Sequence, residues 1–283
     1  MYVREKRITC GEYKEVDIIP RTEKADKAVK GKRRKQKISK PKQNALNDKN
    51  SKRYLVQLGN GNFGEDDYHV TNTYRDDNLP EGEEEAEKIV SNYLRRVAYR
   101  RIKLGLSQLM YILVTEYEYG KDAEKPIRIH HHIIMNGGMD REELEMMWTS
   151  TRVNWRKYDK MTPTEKRAYR KTIKKLGFIN ADSLQANENG IEGLCKYITK
   201  NKKKCKKSWS SSRNLKRPYV EKNDHKYSYR KVIQICTRMA EEERRQKFER
   251  LYPGQVITDI KTEYFEDTGW HIYLKMWKAE KGG

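Results

Sequence analysis

The stretch Ile127-Arg128-Ile129-His130-His131-His132-Ile133-Ile134-Met135 decides the fold. Three of the chain's six histidines stand side by side in a β-branched, apolar run that a solvated loop would not need, so the segment reads as a buried strand. Strand side chains alternate between faces. His130, His132 and Ile134 therefore share one face, and Ile129, His131 and Ile133 share the other. Two imidazoles on one face can reach a single divalent ion, because imidazole nitrogen is a common ligand of transition metals. The plainer alternative is a core strand whose histidines only hydrogen-bond.

Working outward, residues 109–117 predict a second strand, paired with the histidine strand through the polar turn 120–126. Residues 68–74 predict the first strand of the main domain, ended by Asn78-Leu79-Pro80. Between these strands, Glu83-Glu84-Glu85 supply a negative first turn, and Ile89, Tyr93, Val97 and Ile102 give a helical stripe over 82–105. Asp140 is placed to cap a helix running to Trp148, and Thr162-Pro163-Thr164-Glu165 opens a basic helix running towards Leu176-Gly177. Residues 178–184 read as another strand. Over 190–200, Ile191, Leu194, Cys195 and Ile198 recur at helical spacing. Residues 53–58 read as a short strand closed by the turn Gly59-Asn60-Gly61-Asn62, and 227–235 as a final strand. The C-terminal part reads as a helix from Ala240 and a short β-like piece around 273–277, with no legible role.

Hydrophobic residues make up 35% of the chain and charged residues 36%, with a mean hydropathy of -1.10, so some segments cannot bury enough apolar surface to fold. Three segments are expected: a basic, largely flexible arm over 1–52, a main domain over 53–235 and a C-terminal extension over 236–283. The arm holds Lys32-Arg33-Arg34-Lys35, and its first twenty residues contain only strand-like scraps. The chain's 62 Lys+Arg against 41 Asp+Glu give a formal charge of +21, which favours a polyanionic partner, most simply nucleic acid. No run approaches the roughly 18 apolar residues of a spanning helix, and no apolar signal core opens the chain. A soluble, cytoplasmic protein without a membrane partner is expected. The cysteines Cys10, Cys195, Cys205 and Cys236 are scattered without a C-x-x-C pair, which argues against a zinc ribbon or a disulfide framework.

Two histidines leave an ion short of a third protein ligand, and the adjacent strand carries Glu116 and Glu118 on one face by parity. Either could complete a mixed nitrogen and oxygen site for Mn2+ or Mg2+, with Glu116 the more deeply placed in the strand. Downstream, Tyr197 and Lys200 are three apart at helical spacing, so a phenol and an ammonium would project side by side. A phenol with its usual pKa near 10 is a weak nucleophile, and attack on phosphorus needs a cation to neutralise the phosphate. Residues 196–222 then hold eleven Lys/Arg and one acid, interleaved with Trp209 and Tyr219. Lys202, Lys203, Lys204, Arg213, Lys216 and Arg217 are the candidate grip on a single nucleic-acid strand.

The order His69-Val70-Thr71-Asn72-Thr73-Tyr74, Thr115-Glu116-Tyr117, His130-His131-His132-Ile133-Ile134-Met135 and Lys196-Tyr197-Ile198-Thr199-Lys200 resembles the HUH endonuclease superfamily. Within it, the chain is similar to the single-tyrosine rolling-circle replication initiators of bacterial plasmids, small phages and integrated elements. The resemblance covers about residues 53–235. It implies an α+β fold, a ferredoxin-like or RRM-like antiparallel sheet with helices packed on it, the histidine pair on a central strand and the tyrosine on a neighbouring helix. It also implies an ion held by His130, His132 and Glu116, with Tyr197 as nucleophile, Lys200 beside it, and Thr71 and Thr73 in the first motif, where they help to position DNA. His131 stands where an apolar or aromatic residue is usual, and Asn72 departs from the more apolar pattern of that motif. The implied reaction nicks and rejoins origin single-stranded DNA, hairpin-flanked or not, leaving a 5′-phosphotyrosine and a 3′-hydroxyl for host replication proteins. The competing expectations are a non-catalytic basic nucleic-acid-binding protein and a compact transposase of the same chemistry.

Overall fold

The computed structural model describes residues 1–22, 41–119, 126–200 and 209–279. In chain order the first elements are β1 (Tyr2–Cys10), β2 (Tyr13–Arg21), α1 (Pro41–Asn62), β3 (Tyr68–Asn72), α2 (Glu83–Lys103), β4 (Tyr111–Tyr119) and β5 (Pro126–Met135). Then come α3 (Arg141–Met146), α4 (Trp155–Tyr158), α5 (Pro163–Thr172), β6 (Ile179–Ser183), α6 (Glu192–Ile198) and β7 (Ser210–Ser211). The chain ends with β8 (Tyr219–Asn223), α7 (Tyr229–Arg238), α8 (Glu241–Leu251), β9 (Gln255–Phe265) and β10 (Gly269–Lys278). These elements fall into two units, Phe63–Ala186 with Leu194–Leu215, and Met1–Asn62 with Asn187–Gly193 and Lys216–Gly283. Each contains a five-stranded antiparallel sheet, so the architecture is α+β.

In the first unit the strand order is β6-β3-β5-β4-β7, with the histidine strand β5 central between β3 and β4. One sheet face is apolar. Val70, Leu113, Ile133 and Met135 pack there with Val90, Tyr93, Leu94 and Val97 of α2 and with the fully buried Trp148. The helix α2 forms because Glu83, Glu84 and Glu85 sit at its N-terminus and Arg100, Arg101 and Lys103 at its C-terminus, matching its dipole. Its buried stripe runs through Ala86, Val90, Tyr93, Leu94 and Val97, so Ile102, expected on that stripe, is instead exposed. Arg100 closes the helix against α3 and α4 by forking to both oxygens of Glu143 and both of Asp159, its guanidinium lying 4.0 Å over the Trp155 ring. Asp140 accepts from the backbone N–H groups of Glu142 and Glu143, and Thr162 with Glu165 forms a capping box, as their positions predict.

The second unit orders its strands β8-β1-β2-β10-β9. Val3, Val16, Ile18, Ile272 and Leu274 form its core with Val232, Ile235 and Phe248 from α7 and α8. Residues 2–21, expected within a flexible arm, are therefore a β-hairpin. Their burial comes from β10, at the far end of the chain, which no local pattern reveals. The Lys32–Lys35 run lies outside the described residues, as does most of the turn 120–126. Residues 53–58, expected as a strand, belong to α1: Leu55 and Leu58 are buried one turn apart, and the Gly59–Asn62 turn is the helix's last turn. Arg53 donates from that helix to Glu15 at 2.7 Å and to both Asp17 oxygens at 2.6 and 3.0 Å. Residues 229–238, expected as a strand, are helical, with Val232, Ile235 and Cys236 buried at helical spacing and Ser228 capping.

Past β3 the pairing with the segment before β6 continues, because Thr73 and Arg75 donate backbone N–H groups to Phe178 and Leu176 carbonyls at 2.8 and 2.9 Å. Gly177 lies between those two bonds. A Cβ there would stand 2.3 Å from the Thr73 carbonyl oxygen, a backbone atom that cannot swing aside. Gly177→Ala is expected to lower stability by about 1–3 kcal/mol through this overpacking. Thermal unfolding checks it, and an unchanged midpoint would contradict the close approach.

Candidate active site

The site is built on the face of the first unit's sheet opposite α2. Register sets it out. His132 pairs with Thr71 on β3 and Val114 on β4, His130 pairs with Glu116, and His69 pairs with Ile134 and with Asp182 of β6. Directly paired residues share a face, so His69, Thr71, Glu116, His130 and His132 lie on one side. Their geometry converges on His132. Its Nε2 is 3.9 Å from Glu116 Oε2, its Nδ1 is hydrogen-bonded to His69 Nε2 at 3.3 Å, and the His69 and His132 rings stack with centroids 5.5 Å apart. The His130 ring lies 6.4 Å from that of His132.

His131 belongs to the other face and does a different job. It is fully buried, its Nε2 lies 2.8 Å from the Tyr74 hydroxyl and its Nδ1 2.9 Å from Thr115 Oγ1, and its ring meets Trp148 edge-on. Burial, reinforced by the flanking His132 and His130, pushes its pKa down to about 3. His131 is therefore a neutral core histidine with both nitrogens satisfied. On the opposite face burial, then the neighbouring His69 and His130, push His132 down to about 4, and burial lowers His69 with partial opposition from Asp182. A neutral imidazole keeps the lone pair that a metal needs.

The donor set can be tested for fit to a divalent ion. The 3.9 Å gap between His132 Nε2 and Glu116 Oε2 exceeds hydrogen-bond range, yet a cation with bonds of about 2.0–2.2 Å can bridge it. Among the described residues no group of three His, Cys, Asp or Glu side chains stands tightly enough to hold an ion as drawn. The chemistry and register of His130, His132 and Glu116 fit a divalent cation, with His130 the side chain that has to turn in. Glu118, the other candidate, pairs with Arg128 one row farther from His132.

Tyr197 is in the last turn of α6, its ring 6.0 Å from that of His132 and nearly perpendicular to it. Cys195 and Ile198 anchor the helix by burial, while Tyr197 is 66% exposed, within reach of an incoming strand. Lys200 lies two residues past the helix end, not on it, and its backbone N–H donates to the Tyr197 carbonyl at 3.1 Å. Thr73 donates its hydroxyl to the Phe178 carbonyl at 3.2 Å. Of the basic candidates, Arg213 is exposed in the same unit, Lys216 and Arg217 belong to the other unit, and Lys202, Lys203 and Lys204 lie outside the described residues. His69 was not among the residues given a role from the sequence. Its signal was parity: it shares the face of Thr71 in a strand that pairs with the histidine strand.

A family model for the replication-associated protein ORF2 family matches residues 67–202. That span, just under half of the chain, contains His69, Glu116, His130, His132, Tyr197 and Lys200, and the match supports a Rep-type replication initiator. Comparison with curated proteins finds no match, and comparison with solved structures finds none. Among the described residues no helix is long and apolar enough to cross a membrane.

Replacing His131 by Leu would leave the Tyr74 and Thr115 hydroxyls without their buried partner. A loss of about 1–3 kcal/mol is expected in urea unfolding, against less than about 1 kcal/mol for His130→Leu at its half-buried position. Equal losses at the two positions would contradict the division of roles between the faces.

Proposed function

We propose that this chain is a rolling-circle replication initiator of the HUH type, which nicks and rejoins single-stranded DNA at the origin of a plasmid, phage or integrated element. The observation that carries the proposal is the exposed Tyr197 ring standing 6.0 Å from His132, on the face that holds the histidine pair and Glu116. The central position of the histidine strand in an antiparallel sheet agrees with the ferredoxin-like, RRM-like sheet of that superfamily.

His130, His132 and Glu116 would hold Mn2+ or Mg2+, whose bound charge neutralises the non-bridging oxygens of the scissile phosphate. The chain's own groups carry the reaction. The Tyr197 phenolic oxygen attacks phosphorus in line, forming a new P–O bond as the bond to the 3′-oxygen breaks. The phenol loses its proton and the departing 3′-oxygen gains one. One phosphodiester is exchanged for another, so the released 3′-hydroxyl can reverse the step without ATP. Until then it is a primer terminus for a host polymerase. Lys200 brings an ammonium to the tyrosine's side of the phosphate. Thr71 and Thr73 sit on the reacting face, and Lys202, Lys203, Lys204, Arg213, Lys216 and Arg217 supply charge for phosphates along the strand. Lacking a second tyrosine on α6, a further strand transfer uses another protomer or a released hydroxyl.

The test is adduct formation on single-stranded origin oligonucleotides. With Mn2+ present, a 3′-end label is expected in the covalent complex and a 5′-end label in the released fragment. Tyr197→Phe and metal chelation are each expected to abolish the complex. An adduct that survives Tyr197→Phe overturns the nucleophile, and salt-sensitive binding without cleavage would leave a basic binding protein.

A further inference from the structure

His132 can serve as a ligand through Nε2 only if its proton sits on Nδ1, because a neutral imidazole has one N–H and one lone pair. Two carboxylates flank this pair of rings and pull the proton in opposite directions. Glu116 faces Nε2, but at 3.9 Å it is outside hydrogen-bond range. On the other side His69 Nε2 is in hydrogen-bond contact with Nδ1 at 3.3 Å, with the two rings held 19° from parallel. The shorter contact decides.

The direction of that bond then depends on His69. Its nearest cross-strand partner on β6 is Asp182, an acceptor-only carboxylate on the same face. An acceptor there favours the His69 ring form whose proton is on the nitrogen not engaged with His132. His69 Nε2 is then left as a lone pair. It accepts from His132 Nδ1–H, and His132 Nε2 is bare towards Glu116. We infer that His69 is a positioning residue: with Asp182 behind it, it fixes the tautomer and ring plane of His132 so that Nε2 is presented to the cation. Metal-bound histidines are commonly oriented by such an outer partner on the second nitrogen. His69 itself is not assigned as a ligand, since its inward nitrogen is taken by His132. This inference rests on the metal site proposed above.

The experiment uses the full chain in two arms. In metal-free protein labelled with 15N-histidine, long-range proton–nitrogen correlation spectra, assigned with His132→Ala, report the tautomer of His132. The Nδ1–H form is expected in the wild type and a shift towards the Nε2–H form in His69→Leu. His69→Gln, whose amide oxygen can still accept, is expected to retain Nδ1–H. In the second arm, calorimetric titration with MnCl2 is expected to show affinity weakened by about ten- to a hundred-fold in His69→Leu and largely restored in His69→Gln. An Nε2–H tautomer in the wild type overturns the inference even if His69→Leu fails to fold, and so does unaltered Mn2+ affinity in a folded His69→Leu. Absence of Mn2+ binding by the wild type would sink the metal site beneath it, while the first arm still decides whether His69 sets the tautomer.

Discussion

The two-residue period of β5 is the constraint on which the site depends. One strand carries three adjacent histidines, and alternation sends the middle one into hydrocarbon and its neighbours to the opposite face. A one-residue slip in the pairing with β3 and β4 would exchange these sets, burying the candidate ligands against Trp148 and exposing His131. Register is held from both sides. Val70 and Leu113 flank Ile133 in the core, while Asn136 Oδ1 accepts from the Met110 backbone N–H at 2.8 Å just past the end of the ladder.

The two histidine environments differ because burial alone does not make a ligand. His131 is the more deeply buried and the more strongly depressed, yet both its nitrogens are committed to hydroxyls. His132 is almost as buried, but it has one nitrogen committed to His69 and the other turned towards a carboxylate too distant to bond. Its edge contact with Tyr197 adds a nucleophile to the same place. A core histidine, a ligand and a phenol are thus sorted by which partners each nitrogen finds.

The parts of this arrangement governed by short-range pattern were legible in the sequence. The histidine strand, its partner β4, the caps at Asp140 and Thr162 and the α6 helix all follow from periodicity and end signals within about a dozen residues. Long-range partners were not. β1 and β2 lack a convincing local signal because β10, from the far end of the chain, buries them, and Arg53 looks like the start of a strand until Glu15 and Asp17 are seen beneath it. His69 went unassigned for a similar reason. Its partner is an imidazole 63 residues away, and a single histidine in a polar strand carries no mark of that pairing. Lys200 shows the opposite failure, where helical spacing held in sequence but the helix ended at Ile198.

The central claim is that one face of one sheet gathers the histidine pair, Glu116 and the phenol of residue 197. The most direct measurement is tandem mass spectrometry of the nucleotide-bearing peptide, after digestion of protein that has reacted with a single-stranded origin oligonucleotide. The account predicts a nucleotide phosphate on Tyr197. A nucleotide on any other tyrosine, or on a serine or lysine, would contradict it.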